Sequence, residues 1–393
     1  MDINRNTINA YIMAMFVFQF GFLQPVASMV NSQLPIAGFT LMLLLAVLVN
    51  NKFKLKKYVL MTFLISGLTF LACSVFMPNL TKTVLQIYGE FLFKSFSAFV
   101  IASIPVDGRE LYDAFLRFSI INFLAIVLFP FVNFLDSMNY MRFGYAMAPS
   151  VIMFFYACYD SKFKNPIWNI LAVISLSLTI IYGSRGAIIV LLLFLLTVAI
   201  LTQKVAIPTK IFGVFFIGIM AFLLVRSQLI IELLDYIYYQ VGIKSYSLNK
   251  FRLMLSNGIV ESSSGRDVIY LTIIDLIKDK PFIGYGIGII QQIMDKTAHN
   301  MFLQIVVETG IIGLFIWGLI WMFCIKMLIG MKLNNDMGFY RVTILLLSIA
   351  FGRLLISSDI WLRPEYWFAL SLCISYSLRS KACGVNKCYS STD

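Results

Sequence analysis

Apolar runs of near-spanning length recur along almost the whole chain, and they constrain its fold more than any single motif. Runs that read as membrane spans lie at residues 8–30, 34–50, 58–77, 84–105, 118–135, 144–159, 166–182, 187–203, 211–229, 301–325, 342–358 and 365–380. A bilayer core of about 30 Å takes about 20 apolar residues per helix. Charged residues make up 13% of the chain and hydrophobic ones 60%, whereas a soluble domain averages about a quarter charged. The expected fold is all-α: a polytopic integral membrane protein of about 12 transmembrane helices, with residues 1–393 forming a single transmembrane domain.

A net charge of +12 raises the question of nucleic acid, and the placement of the charges answers it. With the N-terminus inside, the inner loops carry Lys52, Lys54, Lys56, Lys57, Arg109, Arg117, Lys162, Lys164, Lys204, Lys210, Lys326, Lys332, Arg341, Arg379, Lys381 and Lys387. The short outer loops carry only Lys82, Arg142, Arg185 and Arg363. That asymmetry is the positive-inside rule. It excludes a nucleic-acid partner as the reason for the basic excess and puts both termini inside. The first apolar segment lacks a small-residue cleavage site and reads as an anchoring span. Cys73, Cys158, Cys324 and Cys373 fall in or at the ends of spans, and Cys383 and Cys388 on the inner tail, so no outer disulfide is expected.

One connection is long. Residues 230–300 contain no span and form an outer loop with structure signals of its own. The stretch "SSSGRDVIYLTIIDLIKDKP" reads as an amphipathic helix. Ser264 stands three residues before Asp267 as a capping pair, Val268, Ile269, Leu271, Ile274 and Ile277 share one side, and Pro281 stops the run. In "PFIGYGIGI", Gly284, Gly286 and Gly288 permit tight turns. No internal repeat is evident.

Three features meet at the outer water–membrane boundary. Arg185 is the one charge in the hairpin turn Gly183–Ser184–Arg185–Gly186, on the side where positive charge is disfavoured. Its planar fork suits phosphate oxygens, and an interfacial arginine that snorkels to headgroups fits equally. Arg266 opens the amphipathic helix, whose N-terminus attracts anions; a surface pair with Asp267 or Glu261 is the plainer account. His299 is the only histidine and is expected in the first turn of the tenth span. There the helix dipole favours a neutral ring able to accept a proton, and Asn300 beside it can bind a sugar hydroxyl or orient the ring. The bland account is an interfacial polar residue. Together the three suit a lipid diphosphate.

"YGSRGAIIVLLL", "GRDVIYLTIIDLIKDKPFIGYGIG" and "AHNMFLQIVVETGIIGLFIW", in this order, resemble the O-antigen polymerase and ligase family of the Wzy and WaaL type, over about residues 166–325. The resemblance implies a glycosyltransferase architecture of the C type and a multi-pass protein of the bacterial cytoplasmic membrane with its active site facing outward. It also implies inverting transfer, without metal or other cofactor, from a polyprenyl-diphosphate-linked oligosaccharide to a glycan acceptor. Carried over residue by residue, it assigns the substrate-binding arginines to Arg185 and Arg266, the catalytic histidine to His299, and a further arginine to Arg142 in "MRFGYAM". Lipid-linked donor and acceptor, membrane lipids, a chain-length regulator and a flippase are the implied partners. The chain has no Asp-x-Asp motif, and the first outer turn, "VNSQLP", has no acidic residue, in keeping with metal-free transfer. Polymerase, acting on O-antigen or capsule units, is the preferred reading, and ligase to a lipid A core the alternative. From another class, a flippase or exporter would use ionisable groups within spans, such as Glu90, Lys94 and Arg353; the preferred account of Glu90 and Lys94, four residues apart, is a structural ion pair facing the bundle interior. Such transporters usually show related halves, which this chain lacks. Glu308 and Asp359 carry no assigned role.

Overall fold

A computed structural model describes residues 5–30, 32–128, 140–201, 266–356 and 359–389, with short pieces between 232 and 253. Within them the chain is helical, without a strand. Local chemistry sets most helix ends. α1 (Arg5–Phe22) and the short α2 (Gln24–Met29) divide the first apolar run at Leu23; Pro25, in the first turn of α2, has no N–H to continue the hydrogen bonding of α1. α3 (Leu34–Asn50) opens on Pro35, whose fixed φ suits a first turn. α4 (Lys57–Phe76) is followed by α5 (Pro78–Ala102), which contains a π-helical turn at Phe91–Phe96. α6 (Gly108–Ile126) is capped by Asp107, whose carboxylate accepts from the Arg109 and Glu110 amides at 2.9 and 3.4 Å. α7 (Tyr140–Asp160) follows, and α8 (Pro166–Tyr182) is capped by Asn165. The remaining elements are α9 (Arg185–Leu201), α10 (Arg266–Asp279), α11 (Ile289–Met294), α12 (Met301–Leu333), α13 (Met337–Leu354) and α14 (Pro364–Tyr389).

Four of these helices, α4, α5, α12 and α13, are long and apolar enough to cross a membrane, and Leu34–Asn50, Pro166–Tyr182 and Gly186–Leu201 are shorter apolar helices. α4 turns Leu60, Leu64, Leu68, Leu71 and Val75 outward, each more than half exposed, as a face against lipid would be. Lipid tails give no hydrophobic drive between helices, so close contacts rest on small residues. Gly144 of α7 lies against Ser184 and Ala187, and Gly352 of α13 against Val190 of α9.

The helices alternate in direction and give the bundle two ends. One end gathers the connections around residues 51–56, 103–107, 161–165 and 334–336. There Arg341 pairs with Asp160 at 2.6 Å, Tyr112 donates to the same carboxylate, and Asn9 donates to the Pro105 carbonyl at 2.6 Å. The other end gathers the turns near residues 23–33, 183–184 and 355–363. Beneath the last of these, Phe91, Trp317, Trp361, Tyr366 and Trp367 pack edge to face or stacked with centroids 5.0–6.2 Å apart.

Several expected boundaries shift. α6 starts ten residues ahead of residue 118, so Arg109 and Arg117 lie on a helix rather than in a loop. α12 runs on to Leu333 and carries Lys326 and Lys332, and α14 runs on to Tyr389 past both tail cysteines. Charged helix ends continue beyond the apolar run, which hydropathy alone does not register. The span expected at 211–229, the capping Ser264 and Glu261 lie outside the described residues.

Candidate functional site

The glycine-rich stretch after α10 is inserted into a broken helix. Gly310 (φ 67°, ψ −170°) interrupts α12. An unbroken helix would bond the Ile311 and Ile312 amides to the carbonyls four residues back. Instead Tyr285 N–H donates to Val307 O at 2.8 Å and Gly286 N–H to Glu308 O at 2.9 Å, while Ile311 N–H donates to Pro281 O at 2.9 Å. The inserted segment thus satisfies the polar groups that the break exposes. Gly284, Gly286 and Gly288 all have positive φ, where side chains with a Cβ are strained. A Cβ at Gly310 would lie 2.0 Å from the Phe282 carbonyl oxygen.

Polar side chains pin this insertion. Glu308 accepts from the Gly288 amide at 3.1 Å, from Gln304 at 3.2 Å and from the Trp361 indole at 3.1 Å. Asp359 accepts from Gln291 at 2.7 Å and from the Trp361 amide at 2.8 Å. Both carboxylates are buried. They tie the loop, α12 and the α13–α14 connection into one body.

His299 ends the loop. It takes a left-handed backbone (φ 52°) and stands just before Asn300, which is the N-cap of α12. It therefore precedes the helix instead of lying in its first turn. The Asn300 side-chain oxygen accepts from the Phe302 and Leu303 amides at 2.9 and 3.2 Å, so this oxygen caps the helix and does not orient the imidazole. One ring N–H of His299 donates to the Ile356 carbonyl. Nδ1 lies 3.4 Å from the Thr297 hydroxyl, and Tyr270 OH donates to the His299 carbonyl at 3.4 Å. Burial lowers the imidazole pKa below its ordinary value, and Arg266 and Lys296 lower it further. α10 packs Ile269 and Ile273 against Ile290, Ala298 and Val307. Of the expected apolar side, Val268, Leu271 and Ile274 face outward and are exposed. Arg266 makes no ion pair among the described residues.

A cavity of about 460 Å³ lies at the same end of the bundle. Phe16, Phe18, Phe20, Ile36 and Phe93 give it apolar walls, and Lys94, Arg142, Arg353 and Arg363 line it with positive charge. Each cation comes from a different part of the chain: the π-helical turn of α5, the start of α7, the last turn of α13 and the α13–α14 connection. Glu365 is the one acidic residue of the lining and pairs with Arg353 at 3.0 Å. Arg353 also lies over the Tyr145 ring, 4.7 Å from its centroid. Lys94 pairs with Glu90 at 2.6 Å; both side chains are exposed, at 45% and 38%, so this is no pair sealed inside the bundle.

The structure therefore brings the expected residues into two neighbouring groups. Arg266 and His299 come together at the end of the loop. Arg142, expected in a short loop, lies in the first turn of α7 and faces the cavity. The turn before Arg185 packs on Gly144, Gly186 lies against Tyr145 of the cavity lining, and Arg185 opens α9 there. The groups are linked through α13. Arg353 lines the cavity, and Ile356, whose amide bonds back to the Arg353 carbonyl, accepts from His299. Sequence reading missed Arg363 and Glu365 as lining residues. Their one signal was the cluster "WLRPEYW", a pair of opposite charges between tryptophans at a span end. No group of three His, Cys, Asp or Glu residues suited to a metal ion exists among the described residues.

Residues 170–318 match the family model described as O-antigen ligase. No curated protein matches the chain. The match agrees with the resemblance carried by the three motifs. It takes in Arg185, Arg266, His299 and Asn300, and leaves Arg142, Arg353, Arg363 and Glu365 outside.

Proposed function

We propose that this membrane protein, whose residues 170–318 match the O-antigen ligase family model, is a glycosyltransferase that polymerises lipid-linked oligosaccharides. It takes a polyprenyl-diphosphate-linked oligosaccharide as donor and a hydroxyl of another such unit as acceptor. The reaction takes place on the outer face of the cytoplasmic membrane. The observation that carries this reading is the cationic, apolar-walled cavity. Lys94 and Arg353 are balanced by Glu90 and Glu365, whereas Arg142 and Arg363 make no ion pair among the described residues. Two cations outside any ion pair suit the two charges of a diphosphate diester, and the aromatic walls suit a prenyl chain.

The acceptor oxygen bonds to the donor's anomeric carbon as the bond from that carbon to the phosphate oxygen breaks, and the attack from the opposite side inverts the centre. Polyprenyl diphosphate departs with its electron pair, stabilised by Arg142 and Arg363, with Arg185 at the adjoining turn. His299 takes the hydroxyl proton. Its ring N–H to Ile356 fixes the tautomer and leaves the second nitrogen as acceptor. Positioned proton transfer of this kind is worth about 10²–10⁴-fold. Burial favours the neutral ring, and Arg266 and Lys296 add to that preference.

A second reading has the description of the matched family in its favour: transfer of finished polymer to a lipid A core. Purified protein given one synthetic lipid-diphosphate oligosaccharide separates the readings. A ladder of products supports polymerase. Product only after addition of lipid A core supports ligase. Passage across a vesicle membrane without new bonds overturns both.

A further inference from the structure

Two polar atoms of the turn that enters α14 are buried without a hydrogen-bond partner: Nε of Arg363, a donor, and Oε2 of Glu365, an acceptor. Both residues line the cavity. Glu365 is only 9% exposed, and its other oxygen is held by Arg353 at 3.0 Å. Buried polar atoms are seldom left unpaired, and leaving a charged one so is costly. A bare phosphate would satisfy the guanidinium N–H and would repel the carboxylate. A ligand that satisfies both atoms offers an anionic oxygen and, close beside it, a hydroxyl.

We propose that Glu365 reads the sugar of the lipid-linked donor: its unpaired carboxylate oxygen accepts a hydrogen bond from a hydroxyl of the sugar joined to the diphosphate, while Arg363 holds the phosphate. The inference rests on the diphosphate reading of the cavity and adds a specificity-determining residue to it. Arg353 fixes the carboxylate from behind. With one oxygen on Arg353 and the residue lining the cavity, the second oxygen is the one left for a ligand. A site built to accept from a hydroxyl strongly rejects the analogue that lacks it, because its own polar group is then left unpaired.

The test measures binding to the full-length protein in lipid nanodiscs. The two probes are polyprenyl diphosphate and the same lipid carrying one sugar. Wild type should bind both. Glu365→Gln should weaken the glycosylated lipid about tenfold or more and change the bare lipid by less than about threefold. Equal loss for both probes, with an unchanged melting temperature, would mean that Glu365 only supports Arg353, and would overturn the proposal. Should Glu365→Gln fail to fold, wild type is offered the glycosylated lipid with each hydroxyl of that sugar deleted in turn. One deoxy analogue should lose about tenfold in affinity, and uniform affinity across the series would refute the idea. Failure of wild type to bind the bare lipid is a separate result: it removes the diphosphate reading and this inference with it.

Discussion

The imidazole of His299 can accept a proton only while it is neutral, and its surroundings keep it so. Burial and the charges of Arg266 and Lys296 depress its pKa below the ordinary 6.5. Transfer should therefore be constant around neutral pH and fall as pH drops through that depressed value. Arg266→Gln removes one of the depressing charges, so the acid limb of the pH–rate profile should move to higher pH. A limb that stays in place would show that Arg266 acts elsewhere. His299→Ala should lower the rate about 10²–10⁴-fold while inserted protein remains at wild-type level, read by polymer ladders and membrane blotting. Arg142→Ala and Arg363→Ala should each raise KM for the lipid-linked donor, because each removes a cation that faces the cavity.

Among the elements, α12 carries the unusual structure: a helix opened at Gly310 and closed again by residues 281–286. The break anchors the start of the segment that ends at His299. Gly310→Ala combines a positive φ with a Cβ 2.0 Å from a backbone oxygen. The substitution should destabilise by about 2 kcal/mol or more, and proteolysis of the loop should become faster. Gly318 lies on the same helix with nothing within 4 Å of its Cβ position. Gly318→Ala should be neutral or stabilising by about 0.5–1 kcal/mol, so the pair separates the packing demand from a general effect of alanine. Sequence reading found the glycines of "PFIGYGIGI" as turn formers. It gave no hint of their partner, because the hydrogen bonds run to carbonyls about 22 residues further along.

For the whole molecule, the open question is which end faces out. With Cys383 and Cys388 replaced, a cysteine placed at Asp275 should react with a membrane-impermeant thiol reagent in intact cells. One placed at Lys162 should react only after permeabilisation. The reverse pattern would put the cavity on the cytosolic side and end the proposed reaction there. On the proposed mechanism, in which fixed guanidiniums stabilise the leaving diphosphate, transfer should also survive a chelator, checked by product ladders with and without it.

The helices of this bundle are written locally. α3 and α8 coincide with the apolar runs, and α4 agrees to within one residue at each end. Length against bilayer thickness and the caps Pro35, Asn165 and Pro166 are properties of neighbouring residues, so the sequence alone decides them. The beginning of α6 escaped because its first turns carry Arg109, Glu110, Asp113 and Arg117, which look like a loop to any hydropathy reading. The motifs around Arg185, Arg266 and His299 were legible too, as short strings of characteristic order. The cavity was not. Lys94, Arg142, Arg353 and Arg363 share no string and no period; they meet because the π-helical turn inside α5, the start of α7, the last turn of α13 and the turn into α14 converge on one cavity. Which cations face one another depends on helix rotation and on contacts such as Gly144 against Ser184. Only the packed fold fixes those, because side chains distant in sequence meet only after the helices that carry them have docked.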